Sequence, residues 1–325
     1  MTYQPIVHKL SKAADADAWL EFRRRGIGGS DVAAICGLNP YRGALRVWLE
    51  KKGQSPQQET TEAMELGEWL EDSIAEYFAK KKGFAIRQSG VILQHPVHTF
   101  MLASIDRWVD EGGGKEGVLE VKNVGERMAK EWLDLEGDNS VPDYYTLQVQ
   151  HYLAVTGADY AWVAPLIGGN RLKPVRLARD DRLIDELIEI ERKFWNLVET
   201  DQAPAIDDSK EAEEVLRLVH PESTAGKSIE LDTSLQSIYK KLSQARVAES
   251  MLKTEIQGYK NLLMEALGDA EEAYIPGQEK PVVTYRGSVT RRFNSTRFVS
   301  EHPEEAAPYY TESTSRRFLV KGEVE

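Results

Sequence analysis

Between Trp19 and about Glu199, apolar residues recur with two different periods, separated by glycine-containing turns. In "TTEAMELGEWLEDSIAEYFAKKKG" Leu70, Ile74 and Phe78 form one stripe and Gly83 follows the last turn, which predicts a helix. "DYYTLQVQHYLAVTG", closed by Gly157, predicts a second helix, and "DRLIDELIEIERKFWNLVET" a third of strong amphipathic character. "VILQHPVHTFMLASIDRWV", "GVLEVKN" and "AWVAPLIGG" predict strands around turns. Segments of both periods alternating along one chain make a mixed α/β domain.

The edge of that domain is expected near residue 205, where "DQAPAIDDSKEAEE" turns acidic, polar and proline-containing. Over residues 206–270, Leu235, Ile238, Leu242, Ala245, Leu252, Ile256, Tyr259 and Leu263 keep an alternating three and four spacing, broken only at Glu249. This is a heptad seam, which suits either a helical hairpin arm packed on its own chain or a pairing between subunits. Residues 271–325 contain "YIPGQEKPVVTYRGSVTRRF" and then "STSRRFLVKG", which predict a small β-containing tail. Its clustered arginines and aromatics suit contact with DNA or a protein partner, or a packed hairpin with solvated arginines.

Hydrophobic residues make up 41% of the 325 and charged residues 29%, so a sizeable core is available. Asp and Glu number 53 against 41 Lys and Arg, a formal net charge of -12. That balance excludes a protein that coats nucleic acid through a general basic excess, and any DNA contact must be local. Cys36 is the only cysteine, so neither an intramolecular disulfide, a four-cysteine zinc site nor an iron-sulfur cluster can be built. A cytoplasmic, reducing compartment is expected. The first residues lack the basic and apolar runs of an export signal, and "YLAVTGADYAWVAPLIGG" is too interrupted for a membrane span.

The chemistry concentrates in "SIDRWVDEGGGKEGVLEVKN", residues 104 to 123, which predicts a hairpin with a glycine turn. Residues two apart on a strand share a face, so Glu120 and Lys122 project together while Leu119 and Val121 point the other way. Asp106 on the preceding arm can sit beside them. Two charges on one side of a central strand are costly unless something uses them. An acid on one strand and Glu-x-Lys on the next can bind a hard divalent cation while the lysine orients or deprotonates a water. Taken alone, the same spacing also occurs as cross-strand ion pairs on a surface hairpin.

Flanking residues extend the cluster. Glu71 lies on the stripe of Ile74 and Phe78, so a carboxylate occupies an otherwise buried face, and Gln148 shares a face with Tyr152 and Val155. Singly, each could be a core polar group satisfied by backbone. Upstream, a glycine loop runs into Ser30 at an expected helix N-cap, where free N–H groups favour an anion, and Arg23, Arg24 and Arg25 precede it. An ordinary capped helix with solvated arginines has the same pattern.

The ordered set of Trp19 and Arg23, Gly26 to Ser30, Gly67 to Glu71, Ser104 to Asp106, Glu120 to Lys122 and Gln148 to Gln150 resembles the YqaJ-type viral recombinases. These include the lambda-type exonucleases, within the PD-(D/E)XK nuclease superfamily. The resemblance spans about residues 15 to 200 and implies a restriction-endonuclease-like core, a mixed central sheet flanked by helices. It further implies a 5′ to 3′ exonuclease acting on double-stranded DNA ends, encoded by a phage or prophage, working in the bacterial host cytoplasm with a single-strand annealing protein.

By motif position, Glu71, Asp106, Glu120 and the Val121 carbonyl would hold two Mg2+ ions, with Mn2+ as a substitute. Lys122 would activate the attacking water and Gln148 would help position water or the scissile phosphate. Arg23, Ser30 and Ser104 would hold the terminal 5′ phosphate. A toroidal trimer is also implied, with Lys80 to Lys82, Arg87 and Arg107 as candidate channel residues. Ile105 departs from the family, which often has proline there. The competing readings are another endonuclease of the superfamily and a non-catalytic module that binds DNA ends or recruits a partner.

Overall fold

Each segment named above for its period, from Glu62 to Glu199, forms the element that its period predicts. The computed structural model describes residues 3–55, 60–133, 141–311 and 316–321, and it divides into a unit spanning Met1–His220 and a unit spanning Pro221–Glu325. The strands of the first unit are β1 (Ile6–His8), β2 (Ile27–Gly28), β3 (Ala85–Gln88), β4 (Ile92–Gln94), β5 (Met101–Ala103), β6 (Arg107–Asp110), β7 (Glu116–Val124), β8 (Tyr160–Ile167), β9 (Arg171–Leu172) and β10 (Val175–Ala178). Its helices are α1 (Ala16–Arg23), α2 (Gly29–Ile35), α3 (Ala44–Lys51), α4 (Glu62–Lys82), α5 (Ala129–Leu133), α6 (Asp143–Thr156), α7 (Asp181–Glu199) and α8 (Lys210–Val219).

The central sheet has the order β10-β8-β7-β6-β3, with β9 attached to β8. β6 and β7 are the expected hairpin, antiparallel with Arg107 opposite Leu119, and β7 runs parallel to β8. A parallel neighbour requires a crossover, and α5 and α6 supply it. Both faces of the sheet are covered. Ile74, Ala75 and Phe78 of α4 pack on Val109, Leu119, Val121 and Trp162. Val149 and Leu153 of α6 pack on Val118, Ala161, Val163 and Val175. This is the mixed sheet flanked by helices that a PD-(D/E)XK core requires. Ile105, the departure from the family pattern, is buried in the α6-side core.

A second sheet, β1-β4-β5-β2, brings the N-terminal segment against the hairpin, because β5 leads directly through Ser104 to Asp106. Next to β2, α2 packs so closely on α6 that a Cβ on Gly29 would stand 2.4 Å from the Tyr152 ring. Only glycine permits that approach, and it brings Ser30 and Asp31 up to the sheet. At the far end of α6, Gly157 takes a left-handed cap at φ 72°, the conformation that its place after the last apolar turn predicts.

Two boundaries differ from expectation. The first unit continues to His220, one helix beyond residue 205, because Ala212 and Val215 of the Ser209-capped α8 are buried. In the second unit the heptad segment is a single helix, α9 (Thr233–Leu267), roughly 50 Å long, rather than a hairpin. Its seam residues Leu235, Ile238, Leu252, Ile256, Tyr259 and Leu263 are about half exposed. The tail is less β-rich than its sequence suggests. Among its described residues only β11 (Glu272–Ala273) and β12 (Val283–Thr284) pair, and part of "SVTRRFNSTRF" forms a helix, Ser295–Glu301. Of "STSRRF", residues 313–315 lie outside the described residues.

A buried ion pair fastens α6 to its neighbours. His151, fully buried, has Nδ1 2.8 Å from Glu191 Oε1 on α7 and Nε2 2.8 Å from the Leu102 carbonyl on β5. Burial alone would lower its pKa, but the Glu191 charge, the bond to Glu191 and the Leu102 carbonyl together raise it. A histidine with a raised folded-state pKa contributes stability that is fully present below its unfolded value of about 6.5 and is lost as pH rises through the folded value. The urea midpoint of the chain should therefore fall on the alkaline side of that window, and His151→Gln should flatten this part of the profile. Equal alkaline slopes for the two chains would exclude the pair as the source.

Candidate active site

Glu120 sits on β7 opposite Val163 of β8, at the centre of the sheet, and is 2% exposed. Its Oε1 accepts from Lys122 Nζ at 2.5 Å and from Gln148 Nε2 at 2.7 Å. Gln148 also donates to the Tyr152 hydroxyl at 3.0 Å, so α6 delivers its inward amide to the strand as the face-sharing pattern predicts. Asp106 is fixed from the other side of the hairpin, its Oδ2 accepting the Val121 N–H at 2.8 Å. Glu120 Oε2 is buried with no hydrogen-bond partner. A carboxylate oxygen withdrawn from water in this way is costly unless a cation or donor meets it.

Electrostatics follow from that crowding. Burial, with the Glu120 and Glu71 charges beside it, raises the Asp106 pKa well above the usual carboxylate range, against the smaller effects of Lys122 and the Val121 N–H. For Lys122 burial works to lower the pKa, but Glu120 and Asp106 outweigh it and the net shift is upward. Lys122 is therefore held as an ammonium donor, with Nζ 4.8 Å from the Tyr145 ring centroid.

On the α4 side, Glu71 Oε1 accepts from Arg107 Nη1 at 2.9 Å, and the other guanidinium nitrogen bonds Asp72. Arg107 Nη1 also donates to the Asp106 carbonyl at 2.6 Å. Arg107 is thus buried inside the site and does not serve as a channel cation. Among the other candidate channel residues, Arg87 is paired with both Glu116 oxygens at 2.6 Å, and Lys82 lies 4.4 Å over the Trp162 ring. Lys80 and Lys81 are exposed.

The residues expected to bind an anion are assembled differently from what the sequence suggests. The N-cap of α2 is Gly28, and Ser30 lies inside the first turn. Its Oγ accepts from Arg23 Nη2 at 3.1 Å, and the Arg23 guanidinium lies 4.7 Å over Trp19. Behind them Asp31, 1% exposed, accepts from Lys51 at 2.6 Å, Arg42 at 2.9 Å and the Gly28 N–H at 2.9 Å. Burial would raise the Asp31 pKa, but Lys51, Arg42 and Arg23 hold it far below the usual carboxylate range. Lys51 also donates to the Arg23 carbonyl at 3.1 Å, so Asp31 ties down the end of α1. Sequence reasoning missed Asp31 and the role of Arg107. The available signal for Asp31 was an acid at the third position of a helix whose cap has no side chain.

A cavity of about 400 Å³ gathers these parts. Arg23, Ser30, Glu71, Ser104, Asp106, Glu120 and Gln148 line it together, as do Trp19, Arg107 and Tyr152. Lys122 reaches it through Glu120, and Val121 contributes its N–H to Asp106 while its side chain is buried in the α4-side core. Hard oxygen donors, one of them an orphaned buried carboxylate oxygen, suit a divalent cation such as Mg2+. Among the described residues no three acidic, histidine or cysteine side chains converge closely enough to cage an ion by themselves. Backbone carbonyl, water and phosphate oxygens would complete the coordination of such an ion.

Comparison with known proteins places this site in context. Residues 18–159 match the YqaJ-like viral recombinase domain. The chain is 36% identical over 312 residues to the uncharacterized protein YqaJ of Bacillus subtilis (strain 168), covering 94% of each. It is 27% identical over 165 residues to protein D345L of African swine fever virus (strain Badajoz 1971 Vero-adapted), covering 43% of this chain and 46% of that one. Among solved structures it is similar to an alkaline exonuclease from Laribacter hongkongensis, with a TM-score of 0.48 and 20% identity over 63% of this chain and 98% of the other. With a full-length relative at this identity and the domain matched across the hairpin and α6, the chain belongs to the YqaJ-like viral recombinase family.

Proposed function

We propose that the chain is a Mg2+-dependent nuclease that digests linear double-stranded DNA from its 5′ ends and leaves 3′ single-stranded overhangs for phage or prophage recombination. The observation that carries this reading is the buried Glu120 carboxylate, with one oxygen unpartnered, in the same cavity as Asp106, Arg23 and Ser30. A phosphodiester site and a phosphate-holding site would then lie within one cavity, as removal of a terminal nucleotide requires. Family membership supports the same class of activity.

A bound divalent ion would supply Lewis-acid stabilisation of the phosphoryl oxygens and a more acidic water. Asp106 and Glu120 would hold it, with Glu71 and the Val121 carbonyl as the further expected ligands and Mn2+ as a substitute. The chain's own groups do the rest. Lys122, kept protonated, donates toward the attacking water or a non-bridging phosphate oxygen, and Gln148, anchored on Glu120 and Tyr152, aligns the same water. Arg23 and the Ser30 and Ser104 hydroxyls bind the terminal 5′ phosphate, the guanidinium in a charge-assisted contact. The recombination role calls for an annealing protein that takes up the product strand, and a homotrimer would confine positive charge to an internal channel of an otherwise acidic chain.

A linear duplex labelled at the 5′ or the 3′ terminus tests polarity and metal need together. Label should leave first from the 5′ end, only with Mg2+ or Mn2+, and a covalently closed circle should resist. Release from the 3′ end first, or cutting of the circle, would replace this reading with another nuclease activity. Lys122→Ala should lower turnover by about 10²- to 10⁴-fold with little change in duplex affinity. For Arg23→Ala, the preference for a 5′-phosphorylated over a 5′-hydroxyl end should shrink by about ten- to a hundredfold, the worth of one charge-assisted contact.

A further inference from the structure

The second unit carries a local chemistry of its own. Residues 281–300 contain four arginines and no acid, in a chain whose net charge is -12. Arg286 pairs with Glu271 and Glu272, and Arg297 with Glu301. Arg291 and Arg292 make no ion pair among the described residues. Phe293 follows them, 74% exposed, and meets Phe298 of the helix Ser295–Glu301 with ring centroids 5.1 Å apart. These two rings line a cavity of about 590 Å³ together with Tyr309, Tyr310 and the hydroxyls of Ser295 and Thr296. No charged side chain lines it. Tyr309 and Tyr310 are 85% and 65% exposed, so large rings stand open to solvent as a group beside unpaired cations, which marks a binding surface. The order Arg-Arg-Phe recurs at Arg316, Arg317 and Phe318, where the ring is again exposed.

We propose that the second unit binds single-stranded DNA, with bases stacked on Phe293, Tyr309 and Tyr310 and the phosphates met by Arg291 and Arg292. Stacking needs the flat faces of bases, which a duplex keeps covered and a single strand exposes. Aromatic walls with hydroxyls and no charged group accept any base, because every base has such a face. The arginine pair adjoins the cavity at Phe293, where a sugar-phosphate chain leaving it would pass. Without carboxylate partners, these arginines can take phosphate in exchange for released counterions. Of the three acids at residues 301–305, Glu301 is held by Arg297 at 2.7 Å and Glu305 lies 3.3 Å from His302, and none lines the cavity. An acidic, apolar peptide would meet the same arginines, but such a segment anchors in a pocket that buries its side chains, whereas three of these four rings stand open.

This goes beyond the nuclease reading and does not need it, so the test is run on the full chain in EDTA, where nothing is digested. Anisotropy of a fluorescein-labelled oligo(dT) should report binding that a blunt duplex of equal length competes for poorly. Tyr309→Ala should weaken it by about 5- to 100-fold, the worth of one stacked base, and Tyr309→Phe should keep it. With Arg291→Gln and Arg292→Gln combined, the slope of log affinity against log salt should become shallower by about 1.4, as for two phosphate contacts on a single strand. Failure of the wild-type chain to bind, or an unchanged affinity and salt slope in these variants, would overturn the inference and leave the nuclease reading standing. Binding of a labelled peptide of Asp and Phe that the same variants weaken, with oligo(dT) unaffected, would assign the cavity to a protein partner instead. If Tyr309→Ala alters the circular dichroism spectrum, the arginine pair, exposed and without ion-pair partners, decides the matter alone.

Discussion

Burying Glu120 in the middle of a sheet that is packed on both faces is the constraint around which the rest of the first unit is arranged. A lone ionised carboxylate there would be prohibitively unstable. Here one oxygen is met by Lys122 and Gln148, and the other is left for something the cavity admits. Each of these partners needs a separate element in a definite place. Lys122 needs the two-residue repeat of β7, and Gln148 needs α6, as part of the crossover, to pass back over the sheet. Asp106 needs the hairpin register that sets Arg107 opposite Leu119.

The same requirement explains why ionic groups in this unit come as linked sets. Asp106, Glu120 and Lys122 form one, Arg107 with Glu71 and Asp72 another, Asp31 with Lys51 and Arg42 a third, and His151 with Glu191 a fourth. Where both partners are buried, as for Asp31 with Lys51 and His151 with Glu191, the pair contributes little net stability over apolar packing, but breaking it leaves an uncompensated charge that costs about 3–5 kcal/mol. Their effect is geometric. They fix α2 to α3 and the end of α1, the middle of α4 to the hairpin, and α6 to α7 and β5, which is what a site built from far-apart side chains requires.

The proposed DNA chemistry needs no basic excess over the whole chain, only a local cation at the cavity. Arg23 lies over Trp19 and bonds Ser30, and among the described residues it makes no ion pair, while Arg42 and Lys51 are held by Asp31. A local cationic group can recruit a terminal phosphate without the salt-sensitive, sequence-independent attraction that a basic surface creates.

Several features were legible in the chain alone, because they depend on local periods. Gly83 and Gly157 close α4 and α6, and Glu120 and Lys122 share a strand face. Glu71 lies on the stripe of Ile74 and Phe78, and Gln148 shares a face with Tyr152. Those periods are enough to specify the hairpin, the α/β class and the candidate acids. Other features arose only on folding. Arg107 looked like a solvated cation until β6 was placed beside α4, where Glu71 and Asp72 surround it. Nothing local marked Asp31, whose partners Lys51 on α3 and Arg42 just before it come from beyond its own helix. Ser30 looked like a cap until the approach of Gly29 to Tyr152 set the cap at Gly28. In each case the partner is distant in sequence or lies on another element. Local spacing determines which face a side chain occupies, and only tertiary packing determines which charge it meets there.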